Sequence, residues 1–523
     1  MVYNEIIYCG FEVLSRVNNL DDAHLVRVRY STIINYTSQI YRLIIAIGFT
    51  LVVTRRLSVQ EYGLFTTIIG LTGIITSIYS IWNFWVPRFY ARKRYDLVSS
   101  AFLLEIIYAP FGFVIMILLG LYYSLILDTD LMYFLIGGLI IFIALINMYV
   151  KSVIIGSRPF IEGKITILRE TMRILFIYIL VIIFQLRLQG ALLGVVIALA
   201  STTILYILFM KHYSLEIPRP RFNKEGIITL LKNSYISIIF SLYTFLSQIE
   251  RPFLTFITAS TIAAAYLGVS YIPRSVIIQS GRAFTSGLSA RLLRKPVRED
   301  IEDVLRLCFI VNIGLSFILI ALNKTILSLF RKEYIDAQPL FVLFTFESLI
   351  MIVTNIFITV ATALERRDLY ESGRALLDTP LFKLYTVRLI RGIVSIIIAS
   401  VAVAIMLYLG ISDTILISLP YPLLWLTTSI PFMLYAYKEA RKKIDFSVPW
   451  RELISTAISG SFVVLILYFM GATNIIITSF WKDLPELIKI LSIALSTYFI
   501  VLIMLSSWLR EFIKKSIKYY FGK

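Results

Sequence analysis

Four arginines lie in stretches of sequence that are otherwise apolar enough to sit within a lipid bilayer: Arg42, Arg251, Arg274 and Arg282. A charged side chain at membrane depth costs free energy, so such residues are rare and usually have a function. A guanidinium group keeps its proton and can donate two parallel hydrogen bonds to one phosphate or carboxylate group. The four arginines therefore predict a substrate-binding site for an anion.

These arginines belong to three stripes of polar residues. The stripes are Asn35, Ser38, Gln39 and Arg42; Ser234, Ser237, Ser241, Thr244, Gln248, Arg251 and Thr255; and Tyr271, Arg274, Ser275, Gln279, Arg282 and Ser286. Their spacing places each stripe on one face of an α-helix. Hydroxyl groups and the amides of Asn35, Gln39, Gln248 and Gln279 can donate and accept hydrogen bonds. The stripes therefore predict the walls of a binding cavity.

A structural role is the alternative for these residues. Ser and Thr are common where two membrane helices pack closely. Arg42 and Arg274 could each pair with a glutamate buried between helices, and Arg251 and Arg282 could extend to the headgroups. Two prolines, at 252 and 273, each adjoin an arginine. A proline loosens a helix at membrane depth, so these kinks either line a wet cavity or only shape the bundle.

Three glutamates, Glu105, Glu250 and Glu347, also lie within apolar stretches. An intramembrane carboxylate is costly unless it is paired, protonated or bound to a cation. If an ion gradient drives the protein, these residues are the candidates that bind H⁺ or Na⁺. Arginines nevertheless outnumber them, and a transporter of cationic drugs would need carboxylates in its cavity.

The composition indicates an all-α, polytopic membrane protein. Of 523 residues, 59% are hydrophobic and only 16% are charged, which is not typical of a soluble domain. Fourteen apolar segments are long enough to cross a bilayer as helices. We number them spans 1 to 14: 30–53, 63–86, 99–124, 131–150, 166–186, 190–210, 227–257, 264–289, 307–321, 338–363, 392–409, 415–436, 453–472 and 485–508.

The basic residues are distributed unequally between the two sides of this topology. The connections on the side of the termini hold 35 Lys and Arg, and the seven turns on the other side hold 7. This asymmetry follows the positive-inside rule and predicts that both termini are cytoplasmic, in a protein of the plasma membrane. The net charge of +18 is then explained by topology and by contact with anionic membrane lipids, rather than by nucleic acid.

Chemistry beyond binding is not indicated. Cys9 and Cys308 are isolated, only two histidines occur, and no zinc or phosphate-loop motif is present. We therefore expect no catalytic residue, no metal and no cofactor. A membrane glycosyltransferase is the enzyme alternative, but its only support is the pair Asp128 and Asp130 in a short turn, where such residues are common.

The chain divides into two halves with weak internal repetition. Spans 3 and 9, and spans 4 and 10, begin at a nearly constant offset. We expect a cytoplasmic segment 1–29, an N-lobe 30–212 with six helices, a linker 213–226, a C-lobe 227–436 with six more, and a final part 437–523 with two helices and a tail. Repeated lobes that meet at a midplane site are common in secondary transporters.

Three motifs occur in a recognisable order: R-R-L-S-V-Q-E-Y-G-L-F at 55–65, I-E-R-P-F-L-T-F-I-T-A-S-T-I-A-A-A-Y-L-G-V-S-Y-I-P at 249–273, and E-Y-I-D-A-Q-P-L-F-V-L-F at 333–344. Together they resemble the Wzx-type oligosaccharide-lipid flippases. That family lies in the superfamily that also contains the multidrug (MATE) exporters and the peptidoglycan-precursor flippase. The resemblance extends from about residue 30 to residue 508 and includes the count of fourteen helices.

The resemblance implies a function. It implies a transporter that moves an isoprenoid-(di)phosphate-linked oligosaccharide from the cytoplasmic to the outer leaflet, by alternating access of two lobes around a cationic cavity. Glycosyltransferases that make the glycan would be functional neighbours. We expect Arg42 and Arg274 to bind the diphosphate from facing lobes, with Arg251 and Arg282 at the outer and inner ends of the path. A MATE-like, ion-coupled exporter of small molecules is the alternative.

Overall fold

A computed structural model describes residues 20–216, 218–232, 234–294, 297–365 and 377–521 of the chain. Every regular element in these ranges is a helix. The α-helices are α1 Leu20–Arg56, α2 Val59–Ser77, α3 Ser80–Asn83, α4 Val86–Ala91, α5 Tyr95–Leu127, α6 Met132–Ser157, α7 Pro159–Ile177, α8 Arg187–His212, α9 Lys224–Lys232, α10 Tyr235–Thr258, α11 Ile262–Ser270, α12 Ile272–Arg294, α13 Arg298–Ala321, α14 Asn323–Phe330, α15 Gln338–Ala363, α16 Pro380–Tyr408, α17 Thr414–Ser418, α18 Pro420–Arg441, α19 Trp450–Phe469, α20 Phe480–Leu505 and α21 Ser507–Phe521. A π-helix lies at Tyr178–Ile183, and 3₁₀ turns lie at Lys332–Ala337 and Ala472–Asn474.

The helices confirm an all-helical membrane fold, but not the count of fourteen spans. In the described chain, ten helices are long and apolar enough to cross a membrane, or twelve if each of two bent pairs is one span. Predicted spans 5 and 8 fall short of that criterion. Span 5 lies mainly on α7, which carries Glu162, Lys164, Arg169, Glu170 and Arg173. Span 8 is divided between α11 and α12, and α12 contains four arginines.

Broken helices account for the bent pairs. The chain bends by 49° between α2 and the short helices α3 and α4, and by 68° between α9 and α10.

The two prolines singled out in the sequence have different positions in their helices. Pro273 lies in the first turn of α12, where its missing N–H costs nothing, so it starts this helix after the break at Tyr271. Helix α10 instead continues through Pro252, whose carbonyl accepts a hydrogen bond of 2.7 Å from the hydroxyl of Tyr123.

Helix α16 begins at Pro380, twelve residues before the predicted start at 392. Thr379 caps this end, because its side-chain oxygen accepts a hydrogen bond from the backbone N–H of Phe382 at 3.3 Å. Proline at the first helical position is also favourable. The residues from 380 to 391 were predicted to belong to a polar insert and instead form the first three turns of a membrane helix. This difference adds two arginines to the membrane region.

The neighbours of the first six spans recur among the next six. Helix α1 packs on α7 as α10 packs on α16, α6 packs on α8 as α15 packs on α18, and α7 packs on α8 as α16 packs on α18. The pairs α5 with α6 and α13 with α15 also correspond. Helices α19 and α20 pack together, and α19 rests on α13. Two related six-helix units with an added pair would have this pattern of contacts.

The two sets of six helices meet along α2. This helix packs on α10 and α11, while α1 contacts α12. Glycines permit the close approach: a Cβ atom on Gly63 would lie 1.9 Å from the carbonyl oxygen of Thr261, and one on Gly70 would lie 2.8 Å from Pro252. The contact is therefore tight enough that any larger residue at 63 would move the helices apart.

Candidate functional site

A cavity of about 370 Å³ lies between α10, α12, α15 and α16. Its polar lining consists of Tyr243, Ser247, Arg274, Thr285, Asn355, Thr359, Tyr385 and Arg388. Both charged residues are arginines, and no carboxylate is among the described residues that line it. Helices α15 and α16 contribute residues near their ends at Ala363 and Pro380, so the cavity lies toward the side of the basic loops.

Arg274 forms the centre of a network that holds two of the predicted glutamates. Its Nε atom is 3.3 Å from Oε2 of Glu347, and its Nη1 atom donates a hydrogen bond of 2.6 Å to the hydroxyl of Tyr271. Tyr271 in turn donates a hydrogen bond of 2.9 Å to Glu250. Both carboxylates are almost fully buried, at 0% and 1% exposure, so they face the network rather than the cavity.

Arg391 completes the pairing of Glu347. Its Nη2 atom is 3.4 Å from Oε1 of Glu347, and its guanidinium group lies 4.6 Å from the ring centre of Trp425. Glu347 therefore bridges α12 and α16 through one arginine on each helix. Such a buried bridge fixes the positions of both cations, because removal of the shared carboxylate would leave them unpaired in a region of low polarity.

Arg388 is the cavity arginine without a carboxylate partner among the described residues. Its guanidinium group lies 4.2 Å from the ring centre of Tyr243, where the face of the ring attracts it. The described ion pairs do not include it, so its charge is available to a ligand in the cavity. Arg251 has a similar contact, with its guanidinium group 5.4 Å from the ring of Tyr271.

The network has more arginines than carboxylates. It contains Arg251, Arg274, Arg388 and Arg391 against Glu250 and Glu347. Since arginine does not lose its proton in proteins, the region stays positive whatever the state of the two glutamates. Phosphate, diphosphate or carboxylate groups are the ligands that this arrangement can hold.

Sequence reasoning missed Arg388 and Arg391, because the predicted span began just after them. Their R-x-x-R spacing at 388 and 391 was the available signal, since it places both on one helical face. The cavity also differs from the prediction that Arg42 and Arg274 act together from facing lobes, because both of its arginines, Arg274 and Arg388, belong to the C-lobe. Arg42 is not among the lining residues and lies 3.9 Å from Glu170, at the contact of α1 with α7.

The polar stripe of α10 faces α2 and the short helix α3 for much of its length. The hydroxyls of Ser237 and Ser241 donate hydrogen bonds of 2.7 Å to the carbonyls of Ile81 and Ser77, respectively, and Thr255 bonds to Thr67 at 2.9 Å. These contacts match the packing alternative for the hydroxyls. They also cap the carbonyls that the bend after α2 releases.

The four amide side chains that were predicted to line the cavity differ in their surroundings. Gln248 packs against α2, where a Cβ atom on Gly73 would be 3.0 Å from it, and it does not line the cavity. Gln39 and Gln279 each have a buried side-chain oxygen with no hydrogen-bond partner in the described part of the chain. The side chains of Asn35 and Arg282 lie outside the described residues.

Glu105 is separate from both groups of arginines. It is 1% exposed, and one of its oxygens accepts a hydrogen bond of 2.5 Å from the indole N–H of Trp82. Its other oxygen has no partner among the described side chains and backbone. Within the described ranges, no cluster of His, Cys, Asp and Glu could hold a metal ion.

The fold is similar to that of solved membrane transporters. No family model matches the sequence, and no curated protein matches it. The lipid II flippase MurJ, in an inward closed conformation, is similar with a TM-score of 0.61 and 13% identity, over 92% of this chain and 100% of that one. A MATE transporter in complex with MaL6 has a TM-score of 0.53 and 12% identity, over 79% and 96%.

A third similar structure is a MOP-superfamily transporter from Pyrococcus furiosus, with a TM-score of 0.53 and 12% identity over 80% of this chain and 96% of that one. At these identities the likeness shows the fold alone. The chain is thus a multi-pass membrane protein with the helical fold of the MOP transporters, the group that includes MATE exporters and MurJ.

Proposed function

We propose that the protein is a flippase that moves an isoprenoid-(di)phosphate-linked oligosaccharide from the cytoplasmic to the outer leaflet of the plasma membrane. The observation that carries the proposal is the cavity lined by Arg274 and Arg388 and by no described carboxylate. Bidentate, charge-assisted hydrogen bonds from arginine suit phosphate oxygens. The hydroxyl and amide groups of Ser247, Asn355 and Thr359 suit the first sugar of a glycan.

The size of the cavity supports a headgroup as the bound part. Ligand pockets usually measure about 300–1,000 Å³, and this one is near the lower end. A diphosphate with its adjoining sugar is a ligand of that scale. The rest of the glycan would extend toward the cytoplasmic side, and the isoprenoid would remain in the bilayer.

The contacts between the two sets of helices support alternating access of lobes 30–212 and 227–436. On the side opposite the basic loops, Arg55 donates to the carbonyl of Leu329 at 2.7 Å, and Arg331 donates to the carbonyl of Leu57 at 2.5 Å. We name these two hydrogen bonds the reciprocal clasp. It joins the lobes on the predicted outer side, while the cavity lies toward the inner side, as expected for a carrier that is closed to the outside.

A MATE-like exporter of small molecules is the second candidate, since MATE transporters share the fold. The positive lining would then select small anions rather than cationic drugs. The Pyrococcus furiosus transporter is described as having a binding pocket of reverse polarity, which suggests a different function for that protein. The two candidates differ in whether the transported anion carries a lipid.

A reconstituted system can test the flippase proposal. Proteoliposomes would contain a fluorescently labelled isoprenyl-diphosphate disaccharide, and dithionite would bleach the label in the outer leaflet. We expect bleaching to proceed beyond the outer-leaflet half with the wild-type protein and to be at least tenfold slower with Arg388→Gln, because a bond to a charged group contributes about 1.5–3 kcal/mol.

Lys383→Gln is the matched control, since it removes the same charge from α16 at an exposed site. It should flip the lipid at the wild-type rate. A wild-type rate with Arg388→Gln would rule out the cationic cavity as the substrate site. Transport of water-soluble diphosphates without any flipping of the labelled lipid would favour the exporter.

A further inference from the structure

The final helix pair, α19 and α20, is packed tightly on the second half of α13. A Cβ atom on Gly460 of α19 would lie 2.5 Å from the ring of Phe317. A Cβ atom on Gly314 of α13 would lie 2.3 Å from the ring of Tyr498 on α20. The hydroxyl of Tyr498 also donates a hydrogen bond of 2.6 Å to the carbonyl of Ile310. Contacts this close leave no room for the helices to slide, so the pair and α13 form one rigid unit.

The loop between α19 and α20 is bound to the short helix α14. The hydroxyl of Thr325 donates to the carbonyl of Ile475 at 2.9 Å, with that of Ala472 3.2 Å away. The hydroxyl of Ser328 accepts a hydrogen bond of 2.9 Å from the backbone N–H of Ile477. Both hydroxyl side chains are almost fully buried, at 0% and 1% exposure, so water does not compete for these bonds. We name the hydrogen bonds of these two hydroxyls the loop anchor.

Helix α14 also carries the C-lobe groups of the reciprocal clasp, at its end and directly after it. The carbonyl of Leu329 accepts the hydrogen bond from Arg55, and the guanidinium group of Arg331 donates to the carbonyl of Leu57. Ser328 of the loop anchor immediately precedes Leu329 in the chain. A displacement of α14 would therefore move one acceptor and one donor of the clasp at the same time.

The other face of α14 packs against the N-lobe. Leu327 and Phe330 are buried in one core cluster with Val53 and Leu57. At 100° per residue, these two apolar side chains lie about 160° around the helix from the two hydroxyls of the loop anchor. Helix α14 is thus held between the N-lobe on one face and the loop of the final pair on the other.

The loop anchor affects how readily the clasp forms. Helix α14 has only eight residues, and a helix of that length has little stability of its own. Without the loop anchor, α14 would gain conformational freedom whenever the lobes part, and closing the clasp would have to offset that entropy. With the anchor in place, α14 is already ordered before the lobes meet. The anchor therefore favours the closed state of the predicted outer side.

We propose that the final pair α19–α20 is the fixed support of the outer closure. Its loop holds α14 in the position at which the reciprocal clasp forms, so that the outer side opens by movement of the N-lobe away from α14. This role depends on the contacts of α14 and not on the identity of the transported substrate. It gives the two helices outside the repeated lobes a part in the transport cycle.

Hydrogen–deuterium exchange of the full-length protein in nanodiscs provides the test, with the double variant Thr325→Val and Ser328→Ala. Segment 53–61 belongs to the N-lobe and makes none of the loop anchor's hydrogen bonds, so a change there has to pass through its contact with α14. We expect its amides to exchange about fivefold faster than in the wild type, the factor that corresponds to one net hydrogen bond. Segment 323–330 should also exchange faster, because α14 has been released.

Two variants serve as controls. Thr325→Ser keeps the hydroxyl and should retain wild-type exchange in both segments. Lys324→Ala removes another contact of α14 with the same loop, a hydrogen bond of 3.4 Å to Asn474, but this contact is long and exposed, so exchange should not change. Segment 86–95, on the side of the basic loops, should exchange as in the wild type in every variant, which excludes general unfolding.

Faster exchange in 323–330 with unchanged exchange in 53–61 would overturn the proposal, because the clasp would then form without support from the loop. Unchanged exchange in both segments would overturn it as well, since the loop anchor would not be what holds α14. In either case the flippase proposal would stand, because it depends on the cavity arginines. If the double variant does not elute as a folded species, Thr325→Val alone replaces it, with the same expected direction in both segments.

Discussion

At the scale of single residues, the buried glutamates differ in what they pair with. Glu347 lies between Arg274 and Arg391, whereas Glu105 accepts a hydrogen bond from Trp82 and has no cation among its described partners. An intramembrane carboxylate without a cation partner is costly unless it has a function, so Glu105 stays the candidate among the three for the predicted ion coupling. Glu347 fits a role as a structural bridge.

This difference predicts opposite effects on stability. Glu347→Gln should lower the free energy of unfolding by about 3–5 kcal/mol, because it leaves two buried guanidinium groups without their shared counter-charge. Glu105→Gln should change it by less than about 1 kcal/mol, since the amide oxygen can still accept the hydrogen bond from Trp82. Denaturant unfolding in detergent micelles would measure both values. Similar losses for the two variants would contradict the assigned pairing.

The arginines also show which part of the site can be predicted from sequence. Arg274 stood out because a cation within a long apolar segment has no local explanation. Arg388 and Arg391 were hidden because they adjoin a polar stretch, and only the cap at Thr379 shows that the helix has already begun. Arg169 and Arg173 were assigned to an apolar span on the strength of the residues that follow them.

At the scale of elements, the prediction of helices was more successful than the prediction of how they face one another. Apolar length and charged boundaries are local properties, so all-helical membrane structure follows from them directly. The partner of a polar stripe is not local. The stripe on α10 could equally line a cavity or pack on another helix. The close contact with α2, where Gly70 and Gly73 lie against Pro252 and Gln248, decides the matter.

Gly63 provides a prediction for this contact. Gly63→Ala should separate α2 from α11, because the new methyl group would lie 1.9 Å from the carbonyl oxygen of Thr261. Such overpacking typically costs about 1–3 kcal/mol. A cysteine in place of the buried Ala264, in a Cys9→Ser and Cys308→Ser background, should then react faster with a membrane-impermeant maleimide.

Gly392→Ala is the matched control for that experiment. Its nearest neighbour would be a side-chain methyl group of Leu246 at 3.3 Å, which can move slightly. The control should leave the labelling rate unchanged. If Gly63→Ala also left it unchanged, the contact between α2 and α11 would not be the barrier on that side.

At the scale of the whole molecule, the two sets of six helices meet on the predicted outer side through the reciprocal clasp. The sequence indicated two halves through the offsets of its helices. It could not indicate the clasp, because each hydrogen bond joins an arginine to a main-chain carbonyl 274 residues away, and a carbonyl has no sequence signature.

The clasp predicts a change in the distance between the lobes. Spin labels at Asp130 and Ser412, in the outer turns of the two lobes, should report a longer and broader distance distribution in the double variant Arg55→Ala and Arg331→Ala. Each single variant should have an intermediate effect, since one hydrogen bond remains. Lys324→Ala, an outer-side control, should match the wild type. An unchanged distribution in the double variant would show that other contacts hold the lobes together.

The reciprocal clasp also bears on how this protein would appear in comparative genomics. Its acceptors are the carbonyls of Leu57 and Leu329, which every amino acid possesses, so substitution at these two positions leaves both acceptors in place. Covariation between columns of an alignment depends on paired changes of side chains. The two halves of the clasp would therefore give no coevolutionary signal. A random mutagenesis screen for leaky carriers would recover Arg55 and Arg331 while leaving their partners unnoticed.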